Sequence, residues 1–368
     1  RMTDAVQRPG QMVLHEYRSD KIVEYIKAHP QYRTVAIALS GDVGFYSGAR
    51  KLMDLLDGDV QVICGISSVV YFMAKIGLSW DDARIVSAHG RDCNLIALIR
   101  HNPKVFSILG TEDGVARLAS RLVAYGMGDV TLYVGENLSY ENEKIFHASA
   151  AGLTEYRGDA LSVITACNEK AVPLPAVHGI CDEEFLRGKA PMTKEEVRTV
   201  SLSKLRLQED SVCYDVGAGT GSVSIEMALR AWKGQVYAIE KKEDALALLK
   251  ENKRKFATDN LEIVPGTAPE AMAELSVPTH AFIGGSSGNM NEIIRLLLDK
   301  NPEVRIVINC ITLETVTEAM NAIRDFGLTD VDIVQLSAAR SKSIGRYHMM
   351  MGENPIYIIS CSGRGEEI

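Results

Sequence analysis

The sequence predicts an α/β protein of two domains, on three observations. Residues 211 to 361 alternate short apolar runs with helical stretches, the pattern of a mostly parallel sheet covered by helices on both faces. One of those runs feeds a glycine-rich turn, and the next run ends on an acid about 20 residues later. The N-terminal half is also α/β and carries two small-residue loops of its own. A length of 368 residues suits two domains, and 46% hydrophobic with 24% charged residues is an ordinary globular composition.

Taken in order, strands are predicted at Thr34–Leu39, Val60–Ile63, Arg84–Ser87, Val105–Leu109 and Val130–Val134. Lys144–His147 and Leu161–Ala166 come next and look hairpin-like. Two prolines in three residues, at 173 and 175, disfavour helix and mark an extended connector. The expected division is therefore 1–171, a linker at 172–190, and 191–368. Thr193 with Glu196 three residues on forms a capping box, opening a helix toward Leu205.

Beyond it, strands are predicted at Ser211–Val216, Gln235–Ile239, Leu261–Val264, His280–Ile283 and Val304–Ile308. The helices between them include Ser222–Leu229, Glu243–Phe256, Asn289–Asp299 and Thr312–Arg324. Val331–Leu336 and Ile356–Cys361 are joined by a polar segment with no convincing helix, which predicts an antiparallel final pair.

Bulk properties exclude several classes. No apolar run reaches the ~18 residues of a membrane span. The net charge of −8 argues against general nucleic-acid affinity. Seven scattered cysteines show no C-x-x-C and no paired Cys/His spacing, so no metal site is expected. Without a signal-peptide pattern at Arg1-Met2-Thr3-Asp4, the expected location is a reducing cytoplasm.

The chemistry-bearing motif is Asp215-Val216-Gly217-Ala218-Gly219-Thr220-Gly221, with Glu240 beyond it. Glycines let a backbone turn sharply and approach a ligand, and a carboxylate at the next strand end can accept both ribose hydroxyls. The dinucleotide fingerprint spaces its glycines G-x-G-x-x-G to seat a pyrophosphate at a helix N-terminus. Here they stand one-in-two behind an acid, and D-x-G-x-G-x-G resembles the first motif of Rossmann-like class I methyltransferases. That favours S-adenosylmethionine over NAD, leaving a dehydrogenase as a distant reading.

Two further loops sit at strand ends of the N-terminal half, Ser40-Gly41-Asp42-Val43-Gly44-Phe45-Tyr46 and Gly65-Ile66-Ser67-Ser68. With Ala88-His89-Gly90-Arg91 and Val134-Gly135-Glu136-Asn137-Leu138-Ser139, they resemble the tetrapyrrole methylase family, in its C5-methylating branch. Residues 192 to 198, the glycine loop and Phe282-Ile283-Gly284-Gly285-Ser286-Ser287-Gly288 resemble the decarboxylating C15-methyltransferase of cobalamin synthesis. Residues 309–315 and 341–347 complete that likeness, and the domain order is that of the fused bifunctional enzymes. Tetrapyrrole methylases open with a strand and a G-x-G-P-G loop. Residues 1 to 30 resemble the segment after that loop, so a shortened N-terminal domain is expected. Val43 and Cys64 also stand where that family usually has proline.

The resemblance implies methyl transfer from S-adenosylmethionine to C5 and C15 of a reduced tetrapyrrole, with loss of the ring C acetate carboxylate. It implies no catalytic acid or base for methylation. Cofactor residues would be Gly217, Ala218, Gly219, Gly221, Glu240, Gly266, Thr267, Ala268, Gly284 and Gly285, with Thr193 covering them. In the N-terminal domain they would be Ser40, Gly41, Asp42, Gly44, Ser67 and Ser68. The polycarboxylate substrate would meet Arg198, Arg340, Lys342 and Arg346, with Asn309 and Tyr347 orienting the ring and Arg91 serving the N-terminal site. Other readings are a methyltransferase for RNA or protein, or an N-terminal domain that serves only as scaffold. A homo-oligomer, dimer or tetramer, is expected.

Overall fold

The computed structural model describes residues 10–57, 59–88, 94–173, 179–188 and 190–364. The chain forms two compact units. The first draws on Arg1–His89, Pro103–Ser120 and Asp129–Cys167; the second on Gly90–Asn102, Arg121–Gly128 and Asn168–Ile368. The described part of the predicted linker falls in the second unit and holds one short helical turn, Asp182–Glu184. Among the described residues no helix is long and apolar enough to cross a membrane.

In the first unit, strands β1 (Arg84–Ser87), β2 (Lys104–Ile108), β3 (Thr131–Glu136), β4 (Lys144–Ser149) and β5 (Ser162–Cys167) form one sheet in the order β1-β2-β5-β3-β4. Only β1 and β2 run parallel; β5 pairs antiparallel with both β2 and β3, and β3 with β4. Helix α1 (Ser19–Ala28), short α2 (Ala49–Met53) and α3 (Ser68–Ile76) precede the sheet. Helix α3 packs Val69, Phe72 and Met73 onto it beside Phe106 and Val163. A Cβ on Gly135 would meet the Phe72 ring at 2.6 Å, so the helix sits directly on the backbone of β3.

Two predicted strands are absent. Thr34–Leu39 and Val60–Ile63 have no ladder partner among the described residues. Their apolar side chains lie open, Ile63 at 78% and Val35 at 46% exposure. A β-branched apolar run becomes a strand only where a neighbour pairs with it and a layer covers it.

In the second unit, α4 (Leu95–His101) precedes α6 (Glu195–Leu205); α5 (Gly114–Ala124) lies between them in the chain. The sheet consists of β6 (Val212–Val216), β7 (Gln235–Glu240), β8 (Leu261–Pro265), β9 (His280–Ile283), β10 (Arg305–Cys310), β11 (Thr329–Leu336) and β14 (Ile356–Ser362). Its order is β11-β14-β10-β9-β6-β7-β8. Five strands run parallel, and β14 inserts antiparallel between β10 and β11, as predicted for the final pair. Helices α7 (Ser222–Arg230), α8 (Glu243–Phe256), α9 (Met290–Lys300) and α10 (Leu313–Asp325) connect them.

Alternation along the strands sorts the core. Tyr214, Val216, Ile239, Ile283, Ile306 and Ile308 face α9 and α10. Cys213, Val236, Ala238, Phe282 and Val307 face α6, α7 and α8. Strands buried on both faces must be apolar throughout, which is why their positions are legible as continuous runs.

The segment between β11 and β14 is not a polar loop. It forms an exposed hairpin, β12 (Ala339–Ile344) with β13 (Tyr347–Gly352), whose two-residue turn is Gly345-Arg346. The capping box also fails. Lys194, not Thr193, is the N-cap of α6, and its side chain, which has no acceptor, makes no cap bond; the Glu196 carboxylate is held at 2.7 Å by Arg340.

Candidate functional site

At the C-terminal edge of the second sheet, the glycine loop comes directly after β6, and Gly217, Gly219 and Gly221 all adopt positive φ. Gly217 (φ +77°) lies against the other loop, since a Cβ there would stand 3.0 Å from the amide nitrogen of Gly285. Gly219 (φ +56°) lies under the leading segment, where a Cβ would stand 2.9 Å from the Pro191 carbonyl oxygen. A side chain at either position would push apart elements that hold the site closed.

Main-chain bonds join the three loops. The N–H groups of Gly217 and Ala218 donate to the Ile239 carbonyl at 3.0 and 3.1 Å. Those of Gly284 and Gly285 donate to Val216 at 2.9 and 3.3 Å, and that of Gly266 to Glu240 at 2.9 Å. Glu240 is the junction: one carboxylate oxygen accepts from Gly219 at 2.8 Å, the other from Lys241 and Lys242 at 2.8 and 2.9 Å. The Ala268 carbonyl, after Gly266 and Thr267, accepts from the Asn289 amide at 2.8 Å.

Beneath the loop, Asp215 is fully buried and accepts from the Ser224 hydroxyl, anchoring the start of α7. Burial pushes its carboxyl up to about 7, although the Ser224 bonds oppose the shift. Beside Gly284 and Gly285, a cavity of about 350 Å³ is lined also by Ser286, Ser287, Asn309 and Thr312. The Asn309 side-chain oxygen lies 3.0 Å from the Ser201 hydroxyl, and its side-chain nitrogen is buried without a partner among the described residues.

The structure corrects one of the predicted substrate cations. Arg198 is fully buried and spends its guanidinium on Asp182, Glu226 and the carbonyls of Thr193 and Ile180, with its plane over Phe185. It pins the leading segment, including Thr193, to α6 and α7 and, at 0% exposure, presents no charge to a ligand. Sequence alone could not separate it from a surface arginine, because its acids lie 16 and 28 positions away. Arg340 keeps Glu196 at 2.7 Å, with Asp182, Glu195 and Glu353 within 3.9 Å, so its charge is already compensated. Lys342, Arg346 and Tyr347 lie on the hairpin and none lines the cavity; Arg346 folds over its neighbour Tyr347.

In the first unit, the two predicted loops meet. The Asp42 carboxylate accepts from Gly44 at 2.8 Å and from Gly65 at 3.2 Å. A Cβ on Gly65 would overlap the Gly41 carbonyl at 2.3 Å. Ser67 is the N-cap of α3, accepting from Val70 at 3.4 Å, with Ser68 the first helical residue. Ser40 is exposed. Arg91 lies outside the described residues.

The glycine cradle, the acid at the end of β7 and the edge of five parallel strands suit a nucleoside cofactor. Together they define a Rossmann-like methyltransferase that uses S-adenosylmethionine. Residues 184–362 match the family model described as precorrin methyltransferase domain, and residues 3–154 the model for tetrapyrrole (corrin/porphyrin) methylases. A probable cobalt-precorrin-6B C(15)-methyltransferase (decarboxylating) of Pyrobaculum calidifontis is 44% identical over 188 residues, 50% of this chain and 96% of that protein. The cobalt-precorrin-6B C(15)-methyltransferase (decarboxylating) of Salmonella typhimurium is 42% identical over 182 residues, 49% of this chain and 94% of that protein. A solved precorrin-6y C5,15-methyltransferase from Geobacter metallireducens is 41% identical, covering 50% of this chain and 95% of that one, with a TM-score of 0.47. The chain belongs to the cobalt-precorrin-6B C(15)-methyltransferase (decarboxylating) family, matched through its C-terminal half.

Proposed function

We propose that this chain is a two-domain methyltransferase of corrin-ring synthesis, in which the second unit methylates C15 of a reduced tetrapyrrole and releases the ring C acetate carboxylate as carbon dioxide. The first unit is the C5-methylating partner. The observation that supports this best is the Glu240 junction, because one carboxylate holds the glycine loop and stands where ribose hydroxyls would be accepted. S-adenosylmethionine supplies an electrophilic methyl group on a sulfonium. Gly217, Ala218, Gly219, Gly221 and Glu240 would hold the methionine and ribose portions, with Gly266, Thr267 and Ala268 beside the adenine. Gly284 and Gly285 would lie nearest the reacting methyl, with Thr193 in the covering segment. The protein's part is to align nucleophile and electrophile and to exclude water. In decarboxylation the electron pair left by carbon dioxide passes into the conjugated imine of the substrate, so the protein need only orient the leaving carboxylate.

In the first unit, Ser40, Gly41, Asp42, Gly44, Ser67 and Ser68 would form the second cofactor site. A scaffold reading of that unit is favoured by one observation: the backbone leading into each loop, 34–39 and 60–63, makes no ladder among the described residues. We place the linker at 172–190, the enzyme in the cytoplasm, and the working form as a homo-oligomer acting on a small molecule. Titration calorimetry with S-adenosylhomocysteine tests both readings. Two sites per chain are expected, one of them weakened at least about a hundredfold by Glu240→Ala. A single site lost on Glu240→Ala would leave the first unit as scaffold, and no binding at all would end the methyltransferase reading.

A further inference from the structure

Arg198 and Arg340 are already paired with acids, and the edge of the second sheet carries a further cation outside the predicted set. Lys241 comes directly after Glu240 at the end of β7. Its ammonium donates to the Ser287 hydroxyl at 3.0 Å, on the loop after β9. Strand β6 lies between β9 and β7, so this side chain reaches across the end of β6. The adjacent carboxylate does not neutralise it, because Glu240 is turned onto the amides of Gly219, Lys241 and Lys242. No carboxylate of the described residues forms an ion pair with Lys241. Ser287 also lines the 350 Å³ cavity beside Gly284 and Gly285, so the ammonium, which does not itself line the cavity, is bonded to a residue of its wall. Ser287 adopts φ +52°, a left-handed conformation uncommon for residues other than glycine, and such outliers gather where a loop is shaped for a ligand.

We propose that Lys241 is a substrate-binding residue of the second unit: its ammonium, held by Ser287 of the cavity wall, takes one carboxylate of the tetrapyrrole. This rests on the C15-methyltransferase function proposed for that unit. The aliphatic stem spans the cleft while the charged head remains in reach of solvent, where an incoming anion meets it. Arg198 instead ties the fold together, and Lys241 does the recognition expected of it.

The test uses the full chain and Lys241→Met, which keeps the stem and removes the charge, with Lys241→Arg as the conservative variant. S-adenosylhomocysteine affinity is read by calorimetry, and kcat and KM are read with cobalt-precorrin-6B at low and high salt. Lys241→Met is expected to keep cofactor affinity within about twofold, raise KM about tenfold or more with kcat little changed, and flatten the salt dependence of KM. Lys241→Arg should recover most of the loss. An unchanged KM in Lys241→Met overturns the proposal while leaving the function standing, and so does a parallel loss of cofactor affinity, which would make Lys241 a cofactor residue. A wild type that binds cofactor but never turns over the tetrapyrrole removes the function and this proposal together.

Discussion

Both units use a carboxylate to join two loops, and the difference between the two junctions is instructive. Glu240 is only 8% exposed, lies at the end of a fully laddered strand, and receives three main-chain N–H groups. Asp42 is partly exposed, stands after backbone with no ladder, and receives two. The same chemical device is therefore preorganised in one unit and loosely supported in the other. A site on a rigid sheet edge keeps its donors in place before a ligand arrives.

The largest expected effect breaks what makes the second unit's junction rigid. Arg198 has a relative exposure of 0% and is paired with Asp182 and Glu226. Arg198→Met would leave Glu226 buried without its cation and Asp182 with only the longer contacts to Arg340 and Lys194, costing about 3–5 kcal/mol of folding free energy, with a smaller loss for Arg198→Lys. Chemical denaturation of the full chain, monitored at the second unit, reads it. A variant as stable as the wild type would show that the leading segment is held by something else.

Next in size is a pH effect. Because folding lifts the Asp215 carboxyl to about 7, the folded state holds more protons than the unfolded chain between about pH 4 and 7, and stability from this group falls as pH rises through that window. His280 works in reverse: burial, with Arg305 nearby, lowers it to about 4, so its contribution is lost as pH falls below about 6.5. The two slopes oppose, and the wild-type profile hides both. Asp215→Asn removes only the first, so its stability relative to wild type should improve by on the order of 1–3 kcal/mol from pH 5 to 7.5. A flat difference would mean that Asp215 is not desolvated.

Most of the second sheet is legible in the sequence because strands buried on both faces must be continuously apolar, and because the glycine loop and Glu240 sit at fixed strand ends. His280–Ile283 and Glu243–Phe256 occupy the predicted residues. The features that escape a sequence reading depend on partners distant in the chain. Thr34–Leu39 has strand composition without a neighbour to pair with. Arg340 reads as a free cation, and only folding brings Glu353, Asp182 and Glu196 beside it. The β12–β13 hairpin is exposed along nearly its whole length, so it carries no buried-face alternation for a pattern to detect. Lys241 gives no signal either, because a lysine after an acid is ordinarily solvated, and only the fold aims it at Ser287.

The smallest effect gives the sharpest comparison. Asp42→Ala removes the acceptor of two exposed N–H bonds, which solvent then takes over, so the loss should be about 0.5–1.5 kcal/mol and confined to the loops. Hydrogen exchange is the suitable reading: amides of residues 41–66 should lose protection while β2, β3 and β5 keep theirs. The contrast with Glu240→Ala comes from burial, since Glu240 is 8% exposed where Asp42 is partly exposed. If Asp42→Ala instead unfolds the whole first sheet, the junction is part of that unit's core after all. The two carboxylates would then be equivalent devices, and the case for treating the first unit as the weaker cofactor site would be lost.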